Sequence, residues 1–211
     1  LEEFARSLHE SGALADGVPS LANIVIPASV QSILAARIDR LSPLQRRVLQ
    51  IAAVIGRDVP SSLLAIVADM NETALTREVN ALCFTRFLVE DGVTGGMVHS
   101  FSHALTQFVA YDTLLRSDRR VLHERVLRAL ETHHRDTTVD HLAHHAVRAE
   151  AWKEAARYSL AAGERANRRS APTEAKAYLE TAIAALGRLP PSVETITMGI
   201  DARLSLRALF T

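Results

Sequence analysis

Histidines concentrate in one stretch of the second half of the chain, where closely spaced imidazoles are candidate metal ligands. His133 and His134 are adjacent, and His141, His144 and His145 follow. On a helix, His141 would share a face with His144 or His145, a spacing that zinc sites use. No cysteine lies nearby, and the H-E-x-x-H arrangement is missing. We therefore assign no metal ligand and expect interhelical packing. Partial burial of these side chains would make stability depend on pH between about 5 and 7.

The other reactive residue types form no catalytic pattern. Cys83 lies in an apolar run without a neighbouring His–Asp pair, so we expect a buried structural thiol. No Ser/His/Asp arrangement, carboxylate pair or dinucleotide signature stands out. The phosphate-binding loop G-x-x-x-x-G-K-[ST] is absent, because Gly92, Gly95 and Gly96 have no following lysine. We expect neither enzymatic activity nor a bound cofactor in these 211 residues.

Composition narrows the class of protein further. Lys+Arg and Asp+Glu both number 24, whereas a dedicated nucleic-acid binder usually carries a basic excess. The longest apolar run, 48–56, is far shorter than the roughly 20 residues of a membrane span, so we expect no membrane partner. The single cysteine excludes an internal disulfide and favours a reducing compartment, so a cytoplasmic location is expected.

Hydrophobic spacing predicts short helices in the first half of the chain. Residues 1–12 form a helical segment and residues 13–26 a linker. A helix is predicted from Pro27, with apolar side chains on one face at Val30, Ile33, Leu34, Ile38 and Leu41. Ser42 and Pro43 provide a start signal for a buried helix over 44–55. Further helices are predicted over 61–68 and 72–84.

The periodicity then changes to that of a β-hairpin. Two β-rich runs between 87 and 101 flank a glycine-rich turn at Thr94, Gly95 and Gly96. Three short helices followed by a hairpin is the order of a winged-helix domain.

The remaining segments are all predicted to be helical: 102–115, 118–133, 140–149, 151–170, 173–189 and 193–210. Gly163, Ala175, Leu179 and Ala182 are spaced as the small and apolar positions of a tetratricopeptide hairpin of about 34 residues. The match is partial, because Pro190 falls three positions late and position 159 is a serine. A competing pairing joins 140–149 to 151–170, so the register stays open.

Together these patterns predict a mainly α fold. Residues 1–26 would be the end of a preceding helical region and a linker, and residues 27–116 a winged-helix domain with a small β-hairpin. Residues 117–211 would form an α-solenoid of tetratricopeptide-like (TPR-like) hairpins. Because the chain opens and stops inside helical patterns, we expect it to be part of a longer polypeptide.

Consecutive blocks of the sequence resemble one protein group. These blocks are PASVQSILAARIDRLSPLQRRVLQIAAVIGR (27–57), HSFSHALTQFVAYDTLL (99–115), RRVLHERVLRALE (119–131) and the segment 142–190. The group comprises large bacterial STAND-type signalling ATPases, including those that follow an adenylate/guanylate cyclase domain, and relatives among LuxR-type regulators. The resemblance implies that an AAA-type ATPase core binding ATP or ADP precedes this region, with residues 1–26 ending its lid. It further implies that the winged helix packs on that core, while the repeats bind a protein or small ligand.

The resemblance also singles out His103, just after the hairpin. This position is similar to a winged-helix histidine that contacts the phosphates of the bound nucleotide. A helix N-terminus there would add free N–H groups and a favourable dipole. His103 would act only together with an ATPase core. The alternative is a capping or packing histidine.

Two other functions remain open: a DNA-binding transcription regulator and a free-standing TPR-like adaptor scaffold. The expected recognition helix, 71–84, offers Arg77 as its only cation beside Glu72 and Glu78, and segment 41–115 carries five arginines against seven acids. This balance favours protein docking over DNA. An arginine stripe further along the chain is expected to be solvated or to meet the acidic domain or the core: Arg116, Arg119, Arg120, Arg125 and Arg128.

Overall fold

The computed structural model describes residues 28–93, 96–133 and 137–209, so the predictions for residues 1–26 lie outside the described part. The described residues form ten helices: α1 Ala28–Asp39, α2 Pro43–Ile55, α3 Ser61–Ala68, α4 Glu72–Phe84, α5 Ala104–Asp112, α6 Arg116–His133, α7 Val139–Arg148, α8 Trp152–Arg168, α9 Pro172–Leu186 and α10 Val193–Ala208. The strands are β1 Asp58–Pro60, β2 Leu88–Val93 and β3 Gly96–Phe101. The chain is therefore mainly helical with one small sheet.

Local capping explains where α2 begins and ends. The Ser42 hydroxyl accepts a hydrogen bond from the Gln45 amide at 3.2 Å, and the Gln45 side chain accepts one from the Ser42 amide at 3.2 Å. Gly56 follows the helix with φ 143°, a conformation that favours glycine. The predicted start signal and stop of this helix are confirmed.

The three strands form an antiparallel sheet in the order β1–β3–β2. The central strand β3 places His99 opposite Val59 on one side and Glu90 on the other. The predicted hairpin is confirmed, although its turn residues Thr94 and Gly95 lie outside the described part. Strand β1 was not predicted, because three residues are too few to show a period of two.

One apolar core runs through α1–α5 and the sheet and continues onto α6. Helix α2 buries every residue from Val48 to Ile55 except Gln50, and α6 contributes Leu122, Val126 and Leu130. Along the predicted apolar face of α1, Ile38 is fully buried, whereas Ile33 is 63% exposed. The neighbouring helices cover only the C-terminal part of that stripe.

Helices α7–α10 pack one after another in chain order. Both pairings that the sequence left open occur, because α8 packs against α7 on one side and α9 on the other. At the α8–α9 contact, a Cβ placed on Gly163 would lie 2.8 Å from Leu179 Cγ and 3.4 Å from the Ala175 carbonyl oxygen. The spacing Gly163, Ala175, Leu179 therefore marks a close helix–helix approach. No helix within the described ranges is long and apolar enough to cross a membrane.

Candidate functional site

His103 lies between the end of β3 and the start of α5. The Ser102 amide donates to the Phe87 carbonyl at 3.1 Å, which holds the chain against the start of the hairpin. His103 is the N-cap residue of α5 with extended backbone, and its carbonyl accepts from the Thr106 amide at 2.9 Å. Its side chain makes no capping hydrogen bond and is exposed to solvent. The imidazole thus faces outward at a helix N-terminus, and the alternative of a side-chain cap is not realised.

A second cluster lies where α5, α6 and α7 meet. The Nδ1 atoms of His123 on α6 and His145 on α7 are 2.9 Å apart, and the two side chains are 1% and 4% exposed. Nε2 of His123 is 3.0 Å from the hydroxyl of Tyr111 on α5. Because one Nδ1 must donate and the other accept, only one of the two Nδ1 atoms carries a proton, and at least one of the two imidazoles is neutral.

The charged groups around this cluster are cationic. The Arg119 guanidinium stacks on the Tyr111 ring at 4.6 Å, and Arg148 Nη1 donates to the Tyr111 hydroxyl at 3.4 Å. Burial, together with nearby imidazoles and these arginines, lowers the pKa of His123 to about 3 and that of His145 to about 2. Both imidazoles are therefore neutral at neutral pH.

The predicted histidine group is only partly assembled. His144 contacts the ring of His145 edge-on, with centroids 5.2 Å apart, but His144 is itself exposed, as are His141 and His133. His134 lies outside the described residues. Within the described segments no group of three or more His, Cys, Asp or Glu side chains could hold a metal ion. We assign no metal to the cluster.

Sequence reasoning missed His123 and Tyr111. His123 lies beside Leu122 and three positions before Val126, on the buried face of α6, and this apolar spacing was an available signal. The partner of His123 is 22 positions away, however, and no local pattern links the two rings.

The α4 surface carries little positive potential. Arg77 forms an ion pair with Glu78 at 2.8 Å, and Glu72 adds a negative charge in the first turn. Phe84, at the end of the same helix, is 90% exposed. The described surface of this helix thus combines an arginine that is paired with a neighbouring acid and an exposed aromatic ring.

The arginine stripe of α6 meets acids of the same chain. Arg116 and Arg120 reach Glu150 at 3.0 Å and 3.8 Å, and Arg119 reaches Asp112 at 2.9 Å. The Arg119 pair joins the stripe to the preceding domain, one of the expected alternatives.

A cleft of about 360 Å³ lies between α3 and α6. Arg125, Arg128 and His133 line one wall, and Ile66 and Asp69 line the other. Arg128 is paired with Glu124. Positive and negative side chains therefore both lie in or beside the cleft, so its charge favours neither an anionic nor a cationic ligand.

Comparison with known proteins finds a similar region within a longer relative. No family model matches the chain. An uncharacterized protein of Rhizobium meliloti (strain 1021) is 36% identical over 171 residues. The match covers 78% of this chain but only 16% of that relative's length.

Proposed function

We propose that this chain is the regulatory region of a STAND-type signal-transduction ATPase. Residues 27–116 act as a winged helix that controls the nucleotide state of an ATPase core elsewhere in the protein. Residues 117–211 act as TPR-like repeats that bind a protein or small ligand. The observation that carries this proposal is the element order: α2–β1–α3–α4–β2–β3, followed by α6 and stacked antiparallel helices.

The first half supports a winged-helix assignment. Helices α3 and α4 are joined by a tight turn in which Asp69 is left-handed at φ 54° and the Asn71 side chain accepts from the Ala74 amide at 2.8 Å. In this proposal the wing is the β2–β3 hairpin, at one side of the three-stranded sheet. Such a helix pair is shared by DNA-binding and protein-docking modules, so the surface decides between them.

The surface of α4 favours protein docking. With Arg77 paired to Glu78, the helix offers no excess of cations for phosphate contacts. The exposed Phe84 ring provides apolar area of the kind found at interface anchors. An ATPase core of the same protein is the partner that the family resemblance suggests.

The second half supports the repeat assignment. Gly163 lets α8 approach α9 closely, and Ala175, Leu179 and Ala182 are all buried at that contact. Helix α10 then packs on α9. Stacked helical hairpins of this kind provide extended surfaces for a partner or ligand. The match covers 16% of the length of the Rhizobium relative, which also fits a module within a long protein.

In this proposal His103 contacts the phosphates of ADP or ATP held by the core. Its exposed imidazole at the N-terminus of α5 is suitably placed to donate to an anion, beside free backbone N–H groups. The chain itself catalyses nothing; hydrolysis belongs to the core, in a cytoplasmic protein. Partner binding to the repeats would favour an open state only if the partner binds that state more tightly.

The test uses the full-length protein that contains this region. We expect His103→Ala to weaken ADP binding about tenfold or more, because a hydrogen bond to a charged phosphate contributes about 1.5–3 kcal/mol. His133→Ala, another exposed histidine, should leave ADP affinity unchanged. Affinity is measured by calorimetry and turnover by phosphate release.

Three results would redirect the proposal. Equal ADP affinity in His103→Ala and wild type would remove the phosphate role of His103. A full-length protein that binds no nucleotide would leave the adaptor scaffold as the better account. Retardation of duplex DNA by micromolar protein at low salt would instead support a transcription regulator.

A further inference from the structure

The Tyr111–His123–His145 network occupies the joint between the two halves of the molecule. Tyr111 belongs to α5, the last helix of the sheet-containing half, and His145 belongs to α7, the first helix of the stack. His123 on α6 bonds to both, through Nε2 to Tyr111 and through Nδ1 to His145. Three helices are thus connected by two hydrogen bonds between ionisable side chains.

We infer that this network is an acid-sensitive latch: protonation of one ring buries a charge without a counterion, protonation of both His123 and His145 also removes the acceptor of the Nδ1–Nδ1 hydrogen bond, and α7 is then released from α5 and α6. The latch is independent of the proposed function, because it follows from the contacts at the joint alone. It would let mild acidification change how the helical stack sits on the rest of the chain.

The stereochemistry of the pair makes it intolerant of a proton. A protonated imidazole carries hydrogen on both nitrogens. If both rings are protonated, two N–H groups face each other across 2.9 Å and no acceptor remains between them. If one ring is protonated, its charge is buried at 1–4% exposure, and a buried charge without a counterion is costly.

The acids of α5, α6 and α7 are paired with arginines, apart from the solvent-exposed Asp118 in the first turn of α6. On α5, Asp112 forms an ion pair with Arg119. Glu150, which follows α7, forms ion pairs with Arg116 and Arg120. The other basic side chains of α6 and α7 near the pair are Arg119, His141, His144 and Arg148.

The helices packed behind the joint do not alter this balance. Helix α2 contributes the neutral Gln50, which donates to Thr113 at 3.0 Å, and its Arg46 is directed to Asp39. On α1, Arg37 donates to the Thr85 carbonyl. Acids on α6, α7 and α8 that are paired with arginines include Glu124, Glu131 and Asp140. Asp69, at the end of α3, faces the cleft rather than the histidine pair.

The sign of the pH dependence follows from the direction of the shifts. In the open joint each histidine has an ordinary pKa of about 6.5, whereas in the closed joint the pKa is lowered to about 3 for His123 and about 2 for His145. Closure is therefore fully stable above about pH 6.5 and is progressively lost below it. Between about pH 7.5 and 5.5 the opening equilibrium should rise about tenfold per histidine, or about a hundredfold for the pair.

Hydrogen–deuterium exchange of the whole chain tests the latch. After correction for the intrinsic exchange rate, peptides from α7 should open about a hundredfold more often at pH 5.5 than at pH 7.5. In the double variant His123→Asn/His145→Asn, whose amides resemble the Nδ1 edge but do not titrate, this hundredfold dependence should be lost, and any remaining pH dependence comes from His144, whose pKa is lowered to about 4. His133→Asn, an exposed histidine on the same helix α6, is the matched control and should retain the full dependence.

The same pH dependence in wild type and double variant would overturn the latch. If the double variant does not fold, imidazole nitrogen chemical shifts of the wild type provide the second measurement. His123 and His145 should take up protons only together with the loss of α7 protection. Proton uptake by either ring with α7 still protected would also refute the latch.

Discussion

The α1–α5 half and the α7–α10 stack bury different side chains. The first half packs leucine, isoleucine and valine around α2, including Leu49, Ile51 and Leu64 at 0–1% exposure. Among the described residues of α7–α10, the buried hydrophobic side chains are alanines apart from Leu179. The first half therefore gains stability from the volume of its side chains, and the stack from close approach of its helix backbones.

Because of this difference, the two halves should respond differently to substitutions that remove or add side-chain atoms. Removing atoms from a large aliphatic core lowers the free energy of unfolding, because a cavity remains. An alanine-rich contact has few atoms to lose but no space for added ones. Small interhelical contacts also bury less apolar area per residue, so they contribute less free energy to local stability.

The largest effect is expected in the aliphatic core. Leu49→Ala should lower the free energy of unfolding by about 3–4 kcal/mol, because Leu49 is fully buried on α2. Leu44→Ala on the same helix is the matched control and should cost less than about 1 kcal/mol, since Leu44 is 39% exposed. Urea unfolding followed by circular dichroism measures both. Equal losses would mean that α2 is not the centre of this core.

Overpacking the stack should have the next largest effect. Gly163→Val should cost about 2–3 kcal/mol, because even a Cβ would lie 2.8 Å from Leu179 Cγ. Gly187→Ala is the control: its Cβ would meet only carbonyl oxygens, at 3.4 Å and 3.7 Å, and stability should change by less than about 0.5 kcal/mol. Exchange protection of α8 and α9 reports the loss locally. Unchanged protection in Gly163→Val would contradict the close α8–α9 contact.

A smaller effect is expected at the joint between the two halves. Tyr111→Phe removes the hydroxyl that bonds Nε2 of the buried His123 and should cost about 1–2 kcal/mol. Tyr178→Phe, a partly exposed tyrosine of the stack, should cost less than about 0.5 kcal/mol. Denaturant unfolding at neutral pH compares the two. A negligible loss for Tyr111→Phe would show that water replaces the tyrosine hydroxyl.

Local signals predicted much of the helical framework. Helix α3 begins and ends at the residues that the spacing indicates, and Ser42 with Pro43 marks the start of α2. Strand β1 escaped prediction because it depends on pairing with β3, more than 35 residues later. The spacing of α1 also did not indicate that Ile33 is exposed. The burial of a side chain depends on which other helices pack against its own helix.

The candidate sites divide in the same way. His103 was located from the sequence, since its place at the start of α5 follows from the end of the hairpin. His144 and His145 were noticed as histidines, but their neighbours His123 and Tyr111 were not. No spacing along the chain indicates that rings on α5, α6 and α7 converge.

By itself, the sequence determined the helix starts and stops, the hairpin, and the small positions Gly163 and Ala175, because capping, periodicity and side-chain size act over a few residues. Only the tertiary structure decided that His123 and His145 share a hydrogen bond and that Arg77 is neutralised by Glu78. It also decided that Phe84 stays exposed while nearby Leu82 is buried. Rotamers, burial and the approach of distant helices set these contacts, since they depend on the packing of the whole chain.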